Sequence, residues 1–165
     1  MQAARILKHL FVPDWMVRRA FASRTLQAIE HAIAASERKH QGEVRFVVEG
    51  GLDLGMLWRG LTARDRAEQV FSQLRVWDTE HNSGVLVYLQ YADRRVEILA
   101  DRGINARVAP GTWDVVCGRM ELAYRAGRYE SGALAALDEI TQLLVQHFPA
   151  AERNPNELSD RPVIL

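Results

Sequence analysis

The sequence predicts an α/β fold in which helices cover both faces of a small mixed sheet. Three segments rich in β-branched residues, 43–49, 84–90 and 95–100, have the composition and length of strands. A helical segment connects the first two, which should therefore be parallel. Only four residues separate the last two, as in an antiparallel β-hairpin at about 84–100.

Helical periodicity accounts for most of the remaining chain. The spacing Thr62-x-x-Asp65 is typical of a capping box, and Asp14, Ser23 and Thr112 are predicted N-caps. The predicted helices cover 3–10, 14–21, 23–39, 62–77, 113–126 and 129–148. Helices on either side of such a sheet give a three-layer α/β/α sandwich of Rossmann-like type.

The chain of 165 residues has the length of one principal domain. Residues 1–22 are predicted to form an N-terminal helical extension, and residues 23–149 the α/β domain. After Pro149 the composition becomes polar, which predicts a flexible C-terminal tail over 150–165.

Composition excludes several classes of function. Twenty-one basic residues balance 21 acidic ones, so the charge gives no indication of a nucleic-acid partner. No apolar run reaches the ~20 residues of a transmembrane helix, and the N-terminus does not resemble a signal peptide. We therefore expect a cytoplasmic protein, either free or peripheral at the inner membrane. Glycine-rich phosphate-binding motifs are missing from the sequence, so no nucleotide or organic cofactor is expected.

Oxygen-bearing side chains lie at one predicted edge of the sheet. Asp78 and Asn82 precede the second strand, and Asp101 follows the third. Because these strands run antiparallel, the three side chains should converge there. Carboxylate and amide oxygens are the ligands that Ca²⁺ and Mg²⁺ prefer. A divalent-cation site is one interpretation.

Glu80 and His81 lie in the same loop and are the candidate catalytic residues. His81 has a side chain suited to proton transfer near neutral pH, and a bound cation would orient a phosphate ester. The other interpretation is a solvated turn without chemistry, since Asp and Asn commonly bond to nearby backbone groups in turns.

A second candidate surface lies near the N-terminus. Phe11 and Trp15 are apolar residues close to the cations Arg18 and Arg19, and Phe21 follows shortly after. Such a combination is typical of a surface that binds a partner or a membrane interface. Packing of the aromatic residues into the core is the alternative.

Taken together, several motifs between 74 and 148 resemble those of the TPM domain, a family named for thylakoid-lumen, photosystem II repair and acetylcholine-receptor modulator proteins. Ser83 stands where the family pattern has a second Asn. The residues that carry the resemblance are Asp78, Asn82-Ser83-Gly84 before "VLVYL", "DRRVEI" at 93–98, Gly103-Ile104 and "YRAGRYESGALAAL" at 124–137.

This resemblance implies an α/β/α sandwich and, because some members are described as calcium binders and acid phosphatases, a divalent-ion site. It places the chain in a short bacterial branch without signal peptide or membrane helix, often found beside membrane-associated TPM proteins. We therefore expect a non-enzymatic accessory or adaptor module for a membrane-associated partner, with or without bound Ca²⁺ or Mg²⁺. A metal-assisted phosphatase acting on phosphate esters is the alternative.

Overall fold

A computed structural model describes residues 2–151 and 155–165. The helices within these residues are α1 (Gln2–Leu10), α2 (Asp14–Ala20), α3 (Ser23–Glu37), α4 (Leu54–Trp58), α5 (Ala63–Gln73), α6 (Arg102–Asn105), α7 (Thr112–Arg125) and α8 (Tyr129–His147). The strands are β1 (Glu43–Glu49), β2 (Gly84–Gln90), β3 (Arg95–Ala100) and β4 (Val163–Ile164).

The strands form one mixed sheet in the order β3-β2-β1-β4. β1 and β2 are parallel, with Glu43 opposite Gly84 and Glu49 opposite Gln90. β2 and β3 form the antiparallel hairpin. The predicted α/β fold and the directions of its three longer strands are therefore confirmed.

Helices cover both faces of the sheet, as the sandwich requires. Val44, Phe46 and Val48 lie on the face that packs against α3, α7 and α8. Val47 and Tyr88 lie on the opposite face, which packs against α5. β1 and β2 are buried along their whole length, which explains the almost wholly apolar sequence of β2.

Side-chain capping agrees with the sequence at only one of the four predicted positions. Thr62 and Asp65 form a complete capping box at the start of α5, with the Thr62 hydroxyl 3.1 Å from the Asp65 backbone nitrogen. Asp14, Ser23 and Thr112 are instead the first helical residues, and their side chains cap no helix. A polar residue near a helix start does not by itself show whether it stands before or inside the first turn.

The predicted flexible tail requires a correction. Val163–Ile164 adds to the sheet in parallel with β1, and the backbone nitrogen of Leu165 donates to Val48 O at 2.9 Å. Without β4, the buried β1 would present unpaired backbone groups at the edge of the sheet. The prediction is wrong for this end of the chain, and residues 152–154 of the predicted tail lie outside the described residues.

The C-terminal segment also lies beside buried carboxyl groups at the start of β1. Glu43 accepts hydrogen bonds from the backbone nitrogens of Glu157 and Leu158, at 3.2 and 3.0 Å. Glu37 accepts from Val44 N at 2.9 Å. Burial raises the pKa of Glu37 to about 9, and the nearby carboxylate of Glu43 adds to this shift.

We expect the buried Glu37 to make stability depend on pH. Its carboxyl stays protonated in the folded state up to about pH 9 but ionises near pH 4.5 when unfolded. The folded state therefore binds more protons in this window, and the free energy of unfolding falls as pH rises through it. Burial lowers the pKa of His40 from 6.5 to about 4, so His40 acts in the opposite sense between those values. Urea unfolding between pH 6.5 and 9 follows the Glu37 effect above the range in which His40 titrates.

In the Glu37→Gln variant this decline between pH 6.5 and 9 should disappear, because glutamine is neutral in both states. Glu30→Gln, on the same helix, is the matched control and should retain the wild-type decline. A Glu37→Gln variant that loses stability with pH as steeply as the wild type would contradict the assignment.

At the other end of β1, an ion pair is buried between the sheet and α5. The Arg66 guanidinium contacts both carboxylate oxygens of Glu49 at 2.9–3.1 Å. The Tyr88 hydroxyl donates to the same carboxylate at 2.5 Å. The guanidinium and the phenol thus hold both carboxylate oxygens of Glu49.

None of the helices in residues 2–151 and 155–165 combines the length and the apolar character needed to cross a bilayer.

Cys117 is half-buried on α7, and burial raises the pKa of its thiol to about 12. A thiol in this environment stays protonated near neutral pH, which agrees with a structural role.

Candidate functional site

The loop between α5 and β2 contains four of the residues predicted to have a chemical role. Asp78 is half-exposed and forms an ion pair with Arg75, at 2.8 Å between the Asp78 carboxylate and the guanidinium. The Arg75 guanidinium also lies 5.8 Å from the centre of the Trp77 ring. The carboxylate predicted to bind a cation therefore contacts a guanidinium of the same loop.

Asn82 and Asp101 lie on adjoining segments, as the antiparallel strands predicted. Asp101 N donates to Gly84 O at 2.8 Å, and Ile104 N donates to Asn82 O at 3.3 Å. Gly103 permits this approach, since a Cβ there would lie 2.5 Å from Asn82 O. Asn82 adopts a positive φ of 51°, a conformation that Asn tolerates better than most residues.

The two side chains differ in how their oxygens are occupied. Asn82 Oδ1 accepts a hydrogen bond from Arg102 Nε at 3.4 Å. Asp101 Oδ1 caps α6 by accepting from Arg102 N at 2.7 Å. Asp101 Oδ2 is buried and has no hydrogen-bond partner among residues 2–151 and 155–165. One carboxylate oxygen of Asp101 therefore has no partner among the described residues.

The two candidate catalytic residues, Glu80 and His81, are exposed. The backbone nitrogen of Glu80 donates to the Glu157 carboxylate at 3.1 Å, which attaches the loop to the C-terminal segment. Within the described ranges, no three or more His, Cys, Asp or Glu side chains are grouped as a metal site would require. The predicted roles of these residues remain predictions.

The N-terminal candidate residues lie on α2 and the turn before it. Phe11 is 75% exposed and Trp15 61%, and Arg18 and Arg19 are exposed on the same helix. Phe21, predicted as a neighbour in this patch, is instead buried at 1% exposure in the main core. It follows the end of α2, where the chain turns into the interior.

Leu7 and Leu10 of α1 are also more than half exposed, and Lys8 lies between them in the sequence. We define the N-terminal patch as Leu7, Lys8, Leu10, Phe11, Trp15, Arg18 and Arg19. Asp14, the first residue of α2, is an exposed acid close to these residues in the sequence.

A crevice lies at the carboxyl ends of β1 and β2, the end of a Rossmann-like sheet where ligands commonly bind. It consists of two cavities of about 690 and 270 Å³ that share the side chains of Met16, Tyr91 and Tyr129. Tyr91 follows β2 directly, and its backbone nitrogen donates to Glu49 O at 2.9 Å. The crevice is therefore attached to the sheet through main-chain hydrogen bonds.

The sequence interpretation did not assign any role to the tyrosines of this crevice. Tyr124 and Tyr129 stack with ring centres 5.3 Å apart, and Tyr91 stacks on Tyr129 at 6.1 Å. The sequence contained a signal for two of these tyrosines, because Tyr124 and Tyr129 both belong to the motif "YRAGRYESGALAAL". The contribution of Tyr91 depends on the tertiary fold.

Comparison with known proteins supports the α/β fold described above. A family model named TPM_phosphatase, described as TPM domain, matches residues 18–143. The match includes the loop before β2 and begins within α2, after Phe11 and Trp15. A search of curated proteins found no significant match.

Two solved structures are similar to this chain. The BA42 protein of the psychrophilic bacterium Bizionia argentinensis, solved by NMR, is 26% identical, with a TM-score of 0.76 over 87% of this chain and 94% of that one. The N-terminal domain of a protein from P. gingivalis is 19% identical, with a TM-score of 0.62 over 79% of this chain and 82% of that one. At this lower identity the second similarity shows the fold alone.

Proposed function

Because the chain belongs to the TPM domain family, we propose that it acts as a non-enzymatic TPM-type accessory or adaptor module. It binds a membrane-associated protein through the N-terminal patch. The observation that carries this proposal is the exposure of large apolar side chains beside cations on α1 and α2.

The composition of the patch supports a protein partner of a particular chemistry. Phe11 and Trp15 provide large apolar surfaces of the kind enriched at interfaces, and arginine is enriched there as well. The three cations Lys8, Arg18 and Arg19 outnumber the acid Asp14. A segment with apolar anchors and acidic neighbours complements this surface.

The loop before β2 supports a role without catalysis. Asp78 and Asn82 each bond to an arginine. His81 is exposed, and no side chain in the part of the chain that the structure describes holds it in place. General acid–base residues need a defined position relative to the reacting group. The N-terminal patch is therefore the better-supported surface.

The test is sedimentation of the purified protein with membrane vesicles from the source organism. Binding is expected for the wild type and should be lost in the Phe11→Ser/Trp15→Ser variant, because both apolar anchors are removed. Trp58→Ser, which changes an aromatic residue that is 75% exposed outside the patch, is the matched control and should bind normally.

Protease treatment of the vesicles separates the two kinds of partner. Loss of binding after proteolysis is expected for a protein partner. Equal binding to protein-free vesicles containing anionic lipid would show that the lipid surface is the partner and would contradict the proposal. Absence of binding to untreated vesicles would also overturn it.

The second candidate is a metal-assisted phosphatase with Asp78, Asn82 and Asp101 as cation ligands and Glu80 or His81 as the proton-transferring group. The buried Oδ2 of Asp101, which has no partner within the described residues, favours this candidate. The donors fit a cation only in part, since Arg75 and Arg102 contact the other two side chains. A bound divalent ion would polarise a phosphoryl oxygen.

Titration with Ca²⁺ or Mg²⁺, followed by amide NMR shifts, tests this candidate. If it is correct, saturable shifts occur at 78–84 and 101–103 and are lost in Asp101→Asn. Asparagine is an equally good N-cap, so the variant should keep its thermal midpoint. Asp53→Asn, which changes the N-cap of α4, is the matched control and should leave the shifts unchanged. Wild-type spectra that do not respond to millimolar metal would reject this function.

A further inference from the structure

We propose that the crevice at the carboxyl ends of β1 and β2 is a binding site for a small aromatic anion. This inference goes beyond the proposed function and does not depend on it. Within residues 2–151 and 155–165, the site combines several cations without an ion pair, a helix N-terminus without a side-chain cap, stacked aromatic walls and a buried hydroxyl without a partner.

The charge of the crevice favours an anion. Arg19, Arg24 and Arg128 line the larger cavity, and Glu130 is the single acid among the described residues of its wall. Glu130 already accepts a hydrogen bond from Thr25 at 3.1 Å and lies 3.8 Å from the Arg24 guanidinium. Its charge is therefore partly neutralised by groups of the protein.

The other cations of the crevice have no acidic partner among the described residues. Lys8 and Arg94 line the smaller cavity, and no described residue of its wall is acidic. Across residues 2–151 and 155–165, neither Arg19, Arg94 nor Arg128 forms an ion pair. Unpaired cations around a concave surface raise the local concentration of anions.

The N-terminus of α8 opens into the larger cavity. Arg128 is its N-cap residue and supplies no side-chain cap, and the first-turn residues Tyr129, Glu130 and Ser131 line the cavity. The first backbone N–H groups of a helix have no acceptor within the helix. They attract an anion together with the helix dipole.

Aromatic side chains provide a wall for a planar ligand. Tyr91 and Tyr129 are stacked with an angle of 28° between their planes, and both line the two cavities. Trp15 borders the larger cavity and Phe11 the smaller one. An aromatic ligand stacks on such faces in the offset arrangement that aromatic pairs prefer.

The hydroxyl of Tyr124 offers a hydrogen bond to a polar ligand atom. Tyr124 lines the smaller cavity and is only 7% exposed, and its hydroxyl has no hydrogen-bond partner in the part of the chain that the structure describes. A buried hydroxyl without a partner is unfavourable. A ligand oxygen in the smaller cavity would satisfy it.

The experiment is a titration with 2-naphthoate, followed by amide NMR shifts, with neutral 2-naphthalenemethanol as the ligand control. Saturable shifts are expected around Tyr91, Tyr124 and Tyr129. Removing one charge-assisted contact in Arg19→Gln or Arg128→Gln should weaken binding about tenfold. Arg38→Gln, which changes an exposed arginine outside the walls of both cavities, should bind with wild-type affinity.

Tyr124→Phe provides a readout that a structural role would not give. Its thermal midpoint should rise in the free protein, because an unsatisfied hydroxyl is removed, while naphthoate affinity should fall severalfold. Three results would each overturn the proposal: equal affinity for the neutral alcohol, shifts confined to another surface, or no saturable shift with naphthoate. These results are read from naphthoate binding, whereas failure of the proposed function is read from vesicle binding, so the two failures are distinguishable.

Discussion

Replacing Arg66 by alanine is expected to lower the free energy of unfolding by about 3–5 kcal/mol, the range found when one partner of a buried ion pair is removed. The Arg66 and Glu49 side chains are only 9% and 8% exposed, and two guanidinium nitrogens contact the carboxylate. Without Arg66, the Glu49 carboxylate stays buried beside Tyr88 and lacks its cation. Burial and the nearby Glu49 raise the pKa of Tyr88, so its hydroxyl remains a donor but supplies no charge.

Urea denaturation of two further variants separates the loss of the buried ion pair from the loss of any arginine side chain on α5. Arg64→Ala changes an arginine of the same helix that is 52% exposed and should lose no more than about 1 kcal/mol. The triple variant Glu49→Leu/Arg66→Met/Tyr88→Phe replaces the whole network by apolar groups and should recover most of the stability. A loss in Arg66→Ala no larger than that in Arg64→Ala would show that the buried pair does not stabilise the fold.

The sequence predicts the central part of this fold because local pattern and tertiary role coincide there. The segments that became β1 and β2 are rich in β-branched and aromatic residues, and β2 is apolar up to Gln90, as a strand buried on both faces requires. The four-residue connection after β2 fixes an antiparallel neighbour, and the helix between β1 and β2 fixes a parallel one. The length and composition of the segments and the connections between them were sufficient to predict these strands and their directions.

The same local reasoning failed for the C-terminal segment. β4 contains only Val163 and Ile164, too few residues to show a period, and a polar stretch precedes it. Its place is determined by the unpaired edge of β1, which is a property of the assembled sheet. A flexible tail was therefore the expected interpretation of a segment whose structure depends on a distant strand.

Local sequence patterns also predicted only part of the candidate sites. Strand direction correctly predicted that Asn82 and Asp101 lie on adjoining segments. It did not predict that Arg75 and Arg102 contact Asp78 and Asn82, because such contacts depend on side-chain directions within the loop. The crevice was harder still, since its tyrosines come from the turn after β2, from α7 and from the start of α8.

Gly84→Ala is expected to destabilise the protein by more than about 3 kcal/mol, the upper end of the usual effect of overpacking, or to prevent folding. A Cβ at Gly84 would lie 2.0 Å from the carbonyl oxygen of Val76, a backbone atom that no change of rotamer can move away. Val76 is itself fully buried between α5 and the sheet. The alanine would therefore separate the loop before β2 from the strand.

Gly118→Ala is the matched control for this substitution. Gly118 lies inside α7, and a Cβ there meets no heavy atom within 4 Å. Alanine at this helical position should raise the free energy of unfolding by up to about 1 kcal/mol, because glycine is the poorer helix former. Thermal and urea unfolding of the two variants should therefore shift in opposite directions. A Gly84→Ala variant with wild-type stability would mean that Val76 does not pack against the start of β2, and that the position of Asn82 in the loop is not fixed by this contact.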